Sequence, residues 1–166
     1  MMNKTGCVTL CPMATRVVNG IDELRSLVGS EVGVSDWIAM TQDRITGFAE
    51  ITEDRQWIHV DAERARRESP YGSTIAHGFL TLSLLSEMSR DAVEIRGDFK
   101  MRINYGINRL RFPAPVLAGS RVRGRFRLSS VEDVAGGVQV IWDCRVEVEG
   151  REKPALAAEW VTRIYW

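Results

Sequence analysis

The chain is read as an α+β protein in which an antiparallel sheet wraps around one long central helix. Three observations carry that reading. After Gly78, the residues Phe79, Leu80, Leu82, Leu84, Leu85 and Met88 place apolar side chains on more than one helical face, so this helix is expected to be almost wholly buried. Beyond Gly97 the apolar period drops to two. There Val138, Val140, Trp142, Cys144, Val146 and Val148 alternate with Gln139, Asp143, Arg145 and Glu147, as in a strand with one oily face. Such a sheet needs a cover, and the Gly78 helix is the natural one.

The other elements follow in chain order. Residues 1–15 are expected to form a flexible tail ahead of a single domain over 16–166, since 4–13 are too short and too weakly apolar for a signal peptide. Asp22 is placed as the cap of a short helix over 23–27, closed by Gly29, and a strand is placed over 32–39. Thr41 offers a cap for a helix that turns Ile45, Phe48, Ala49 and Thr52 inward. Asp61 caps the next helix, over 62–67, which Pro70 and Gly72 close. Within the central helix, Ser83 and Ser86 are small enough to be hydrogen-bonded inside a core. Val122, Phe126 and Leu128 share one face of a strand whose other face is rich in arginine, and Trp160, Thr162 and Ile164 form a further run. Residues 133–137 and 149–151 mark the connections.

Composition narrows the function. With 166 residues the chain can bury one good core. Lys+Arg and Asp+Glu are both 22, so no overall positive field exists to gather nucleic acid. Arginines do cluster between residues 96 and 127, which leaves room for a local anion patch or for solvated strand faces. Cys7, Cys11 and Cys144 make no disulfide framework and suit a reducing cytoplasm; Cys7 and Cys11 lack the second cysteine pair or adjacent histidines a metal site needs. No run of eighteen apolar residues exists, so no membrane span is expected. A sheet of this kind has edges to protect, and a homodimer is the expected solution.

Chemistry is concentrated around the two histidines of the chain. Asp54-Arg55-Gln56-Trp57-Ile58-His59 precedes Thr74-Ile75-Ala76-His77-Gly78-Phe79. An irregular loop can bring Asp54 and His59 into one cavity, whereas a strand would send them to opposite faces. Water addition to an α,β-unsaturated thioester removes a proton from water and delivers one to the α-carbon, duties that a paired carboxylate and imidazole can share. The carbonyl oxygen gains charge meanwhile, and Gly78 at the start of a helix offers a free N–H and the helix dipole to receive it. Each residue also has a plainer role. Asp54 can end a turn, His59 can be a satisfied core histidine, and Gly78 can relieve crowding against the sheet. His77 is read as a structural residue at the helix start.

These motifs resemble the MaoC-like branch of hot-dog-fold proteins, which includes (R)-specific enoyl-CoA hydratases and the nodulation protein N group. The hydratase pattern is Asp-x-Asn-Pro-aliphatic-His followed by aliphatic-x-His-Gly, and the resemblance runs from about Ile21 to the C-terminus, through Asn104-Tyr105-Gly106-Ile107-Asn108-Arg109-Leu110-Arg111-Phe112-Pro113. It implies a hot-dog fold and an enoyl-CoA hydratase. Asp54 and His59 would be the water-activating and proton-donating pair, the Gly78 N–H would face the thioester oxygen, and Ser86 would help hold the site. Gln56-Trp57 stands in place of Asn-Pro, as in the nodulation-protein-N-like branch. Gln56 keeps an amide one methylene further out, and Trp57 cannot reproduce proline's fixed φ. Arg109 and Arg111 are candidates for the phosphates of coenzyme A, because guanidinium groups offer paired donors. Tyr105 and Phe112 read as core or interface residues, and Asn108 as a turn residue.

The expected reaction is hydration of a trans-2-enoyl-CoA to the (R)-3-hydroxyacyl-CoA. Coenzyme A is then part of the substrate, and no metal or redox cofactor is expected. The acyl tail would enter an apolar slot beside the central helix. Two alternatives remain open: an acyl-CoA thioesterase on the same scaffold, and a non-catalytic acyl-CoA-binding or partner protein. Action on acyl-carrier-protein thioesters is a close variant of the leading reading.

Overall fold

A computed structural model describes residues 14–166. Cys7, Cys11 and most of the expected tail lie outside the described residues. In chain order the elements are β1 (Arg16–Asn19), α1 (Gly20–Ser26), β2 (Glu31–Val34), β3 (Ile38–Ala39), α2 (Gln42–Thr52), α3 (Trp57–Val60), α4 (Ala62–Glu68), α5 (Gly78–Ser83), α6 (Leu85–Ala92), β4 (Val93–Arg96), β5 (Met101–Arg111), β6 (Arg121–Val134), β7 (Gly137–Val148) and β8 (Leu156–Tyr165). The main sheet runs β2-β6-β7-β8-β5, with β3 also pairing β6, and every pairing in it is antiparallel. A separate parallel pair joins β1 to β4.

The period-two pattern produces its core as expected. Val122, Phe126, Leu128, Val138, Val140, Cys144, Val146, Leu156 and Ile164 lie beneath the helix layer, all at most 2% exposed. Burial pushes the Cys144 thiol pKa up, away from reactive values. On the other sheet face the arginines meet glutamates across the strands: Arg121 pairs with Glu149, Arg123 with Glu147, and Arg125 with both Glu31 and Glu147. The arginine run is thus largely a cross-strand ion-pair ladder, the solvated-face alternative.

Gly137 shows how tightly the last hairpin closes. A Cβ there would sit 2.0 Å from the Ile164 carbonyl oxygen, a backbone atom held in the β7–β8 ladder. Gly137→Ala is therefore expected to destabilise the protein by about 3 kcal/mol, the upper end for overpacking. Urea unfolding of the purified variant measures it.

α5 and α6 form the central helix. The Leu84 N–H reaches Leu80 O at 3.3 Å and the Met88 N–H reaches Leu84 O at 2.9 Å, so the two segments are nearly continuous through Leu84. Leu80, Leu84, Leu85, Met88 and Ala92 turn toward the sheet. The expectation of burial all round is corrected: Phe79 is 65% exposed, Ser83 is exposed and donates to Phe79 O, and Ser86 is half-buried. Within one chain the sheet covers one side of the helix, so the second apolar face stays open.

Smaller corrections have local causes. The α1 cap is Asn19, whose backbone N–H donates to Glu23 Oε2 at 2.7 Å, so the helix begins ahead of Asp22. Gly20, at φ +81, makes the turn out of β1 that this earlier start requires. The strand expected over 32–39 breaks in two. Ser35 binds Gly124 of β6 through both its N–H and its Oγ, and the Asp36 N–H turns away to Asp91. Thr41 and Asp61 cap α2 and α4 as expected. Thr52 is exposed rather than inward, its hydroxyl satisfied by Phe48 O. Tyr105 and Phe112, at 54% and 40% exposure, are not core residues, which leaves the interface alternative, and Asn108 reaches across the strand pair to Glu159 at 2.6 Å instead of closing a turn.

Candidate active site

The site begins where α2 stops. Glu53 takes φ 61, a left-handed conformation unusual for a glutamate, and ends the helix. The chain turns there into the loop that carries Asp54. Gln56 then starts the single turn α3 with φ −55 and ψ 134, and Trp57 occupies the first helical position. Proline suits that position, so the Asn-Pro pattern and Gln56-Trp57 serve the same turn. The Gln56 side chain makes no capping bond, while the Gln56 backbone carbonyl accepts from the His59 N–H at 2.9 Å. Trp57 packs under the Arg64 guanidinium, 4.4 Å from its ring centroid.

His59 is buried, and its Nδ1–H donates to the Ile75 carbonyl at 2.7 Å. Because a carbonyl only accepts, the neutral ring keeps its lone pair on Nε2. Gln42 braces this arrangement: its Nε2 donates to the His59 carbonyl at 2.8 Å and its Oε1 accepts from Thr74 at 2.5 Å. Burial, the largest influence, holds the His59 pKa below the ordinary imidazole value.

Asp54 is exposed and converges on the same place. One ligand-type atom each of Asp54, His59 and His77 lies within 4.8 Å of the others. His77, 3% exposed, donates Nε2–H to the Asp54 backbone carbonyl at 2.9 Å and stacks on His59 with ring centroids 3.7 Å apart. The two rings lie 27° from parallel.

Gly78 follows immediately as the first residue of α5, and the backbone N–H groups of that turn have no partner within the helix. A Cβ on Gly78 would approach the Phe112 ring at 3.0 Å, so its crowding is with Phe112 rather than with the sheet. Ser86 stands apart from the Asp54–His59 cluster, eight residues along the helix from Gly78. Its Oγ accepts from Asn104 Nδ2 at 3.1 Å, and both residues line a cavity of ≈ 270 Å³ together with Trp142, Trp160 and Thr162. Arg109 and Arg111 lie exposed on β5, and the Arg111 guanidinium folds back on the Leu110 carbonyl. Gln42, Thr74 and Phe112 were not anticipated as parts of the site. Thr74 and Phe112 fall inside stretches singled out in the sequence but carried no site role there, and no local motif marks Gln42; all three reach the site through tertiary contacts.

Residues 23–149 match the family model described as MaoC like domain. The chain belongs to the MaoC-like family. This MaoC-like chain is 48% identical over 149 residues to a 3-hydroxyacyl-thioester dehydratase Z of Mycobacterium tuberculosis, covering 89% of this chain and 97% of that one. It is also 48% identical to nodulation protein N of Rhizobium leguminosarum bv. viciae, covering 86% and 89%. Among solved structures, the monoamine oxidase regulatory protein from Archaeoglobus superposes with a TM-score of 0.71 at 22% identity, over 91% of this chain and 97% of that one. The MaoC-like chain thus has the hot-dog fold expected of it, and the expected hydro-lyase class agrees with the dehydratase name. Among the described residues, no helix is long and apolar enough to cross a membrane.

Proposed function

We propose that this MaoC-like protein is an (R)-specific enoyl-thioester hydratase, working reversibly on trans-2-enoyl-CoA and (R)-3-hydroxyacyl-CoA. The observation that carries the reading is the convergence of the Asp54 carboxylate and the His59 ring beside the open first turn of α5. In hydration, His59 Nε2 takes a proton from water as the water oxygen bonds to C3. Asp54 orients that water and stabilises the imidazolium. The α-carbon then receives the proton from His59 on the same face, and the N–H groups at Gly78 hold the enolate-like thioester oxygen. Dehydration is the same path reversed.

The cavity beside α6 offers space for an acyl tail, with the Trp142 and Trp160 side chains in its wall. Arg109 and Arg111 are proposed to meet the phosphates of coenzyme A. Following the enoyl absorbance of crotonyl-CoA and free thiol in parallel tests the reading. Loss of the enoyl band without thiol release supports it. Thiol release would make the protein a thioesterase, and binding without either signal would make it a non-catalytic binder.

The pH dependence has a defined sign. His59 must be neutral to accept a proton, and burial lowers its pKa. Its acid limb in kcat/KM is therefore expected below the ordinary histidine value of about 6.5. A pH–rate profile checks this, and a loss of activity starting above that value would contradict it.

A homodimer is part of the proposal. β5 pairs only with β8 among the described residues, leaving an eleven-residue edge. Met101, Tyr105 and Ile107 on it, with Phe79 and Phe112 nearby, are exposed hydrophobics that a second copy would cover. Ile107→Lys is expected to turn a dimer into a monomer in sedimentation velocity.

A further inference from the structure

His77 is fixed more firmly than a residue that merely starts a helix. Its Nε2–H holds the backbone of Asp54, one flat face lies on His59, and the Phe48 ring sits 5.1 Å away by centroids. Its other nitrogen, Nδ1, is buried with no hydrogen-bond partner. An unpaired buried nitrogen is unfavourable, and an apolar ring of similar shape would avoid it. What the imidazole provides and an apolar ring does not is the Nε2–H on the Asp54 loop.

We infer that His77 is a positioning residue for the reaction, setting Asp54 against His59 through its Nε2–H and its flat face. The inference rests on the acid–base reading of Asp54 and His59. The ring touches both the Asp54 loop and the His59 side chain, which follows five residues later. Asp54 belongs to a loop whose carboxylate makes no hydrogen bond to the described residues, so its backbone anchor sets where the carboxylate lies. His59 is tethered at one edge by Ile75, and the stack fixes the tilt of the rest of the ring. The two histidines are thereby held in opposite tautomers, His59 with its proton on Nδ1 and His77 with its proton on Nε2.

With only two histidines in the chain, ¹⁵N-imidazole NMR resolves both in the unmodified protein. At a pH of about 8, where an ordinary imidazole is neutral, opposite tautomers are expected; an Nδ1–H tautomer for His77 would overturn the inference. Two variants then separate donor from face. His77→Phe keeps a ring and loses the donor. It is expected to lower kcat about a hundredfold, the scale of a small misplacement of reacting groups, with KM and thermal midpoint little changed. His77→Gln restores a donor at the Nε2 position and is expected to recover at least half of the lost kcat on a logarithmic scale. A Phe variant with wild-type kcat, or a folded Gln variant as slow as Phe, rejects the role. Should the Phe variant not fold, the NMR result and the Gln variant decide. If Asp54→Asn and His59→Gln turn over normally, the acid–base reading itself has failed. If they are inactive while His77→Phe is not, only this inference falls.

Discussion

Asp54→Asn and His59→Gln are each expected to lower crotonyl-CoA hydration by about 10² to 10⁴, the range for removing a positioned acid or base. The carboxylate of Asp54 is exposed and makes no hydrogen bond to the described residues, so its replacement leaves the fold's contacts in place. The amide keeps the shape and removes the charge that would steady an imidazolium. His59→Gln loses the ring that stacks on His77 and the Nε2 lone pair proposed to take the proton from water. The two losses should not multiply in the double variant, because the residues act on one water. Near-wild-type turnover by either folded single variant would defeat the assignment.

Gly78→Pro is expected to reduce kcat by about 10² to 10³, the cost of one oxyanion donor. Proline removes the N–H under test while suiting the first position of a helix. The preceding residue already has the required backbone, since His77 sits at φ −59 and ψ 139, in the extended region that proline imposes on its neighbour. The remaining obstacle is Phe112, whose ring is 3.0 Å from a Cβ at this site. Gly78→Ala serves as the control, because it meets the same ring and keeps the N–H. Equal kcat for the two variants would remove Gly78 from the oxyanion role. A selective loss in the proline variant, at unchanged circular dichroism, supports it.

Much of this arrangement was legible in the residues themselves. The alternation from Val138 to Val148 can bury only one face of a strand, and the six residues of that face (Val138, Val140, Trp142, Cys144, Val146 and Val148) are all buried. Thr41 and Asp61 are capping residues at the starts of the helices expected over 42–52 and 62–67, and both cap. Asp54, His59 and Gly78 were nameable as candidates because they fall on the resembled Asp-x-x-x-aliphatic-His and aliphatic-x-His-Gly spacings, in a chain with only two histidines, and the structure brings Asp54 and His59 together. Phe79 and Ser83 were misjudged for a physical reason: an apolar helix pattern says that a face avoids water, and not whether its own chain supplies the cover.

The linear order of residues by itself determined the α+β class, the apolar faces and which residues are proposed as the acid–base pair, because periodicity and side-chain chemistry are local properties. Tertiary structure decided what holds that pair. His77 reaches back to Asp54 across twenty-three positions and Gln42 reaches His59 across seventeen, while Phe112 comes in from beyond β5 to cover Gly78. Those contacts are made by packing between segments remote in the chain, and no spacing rule along a strand or helix encodes them.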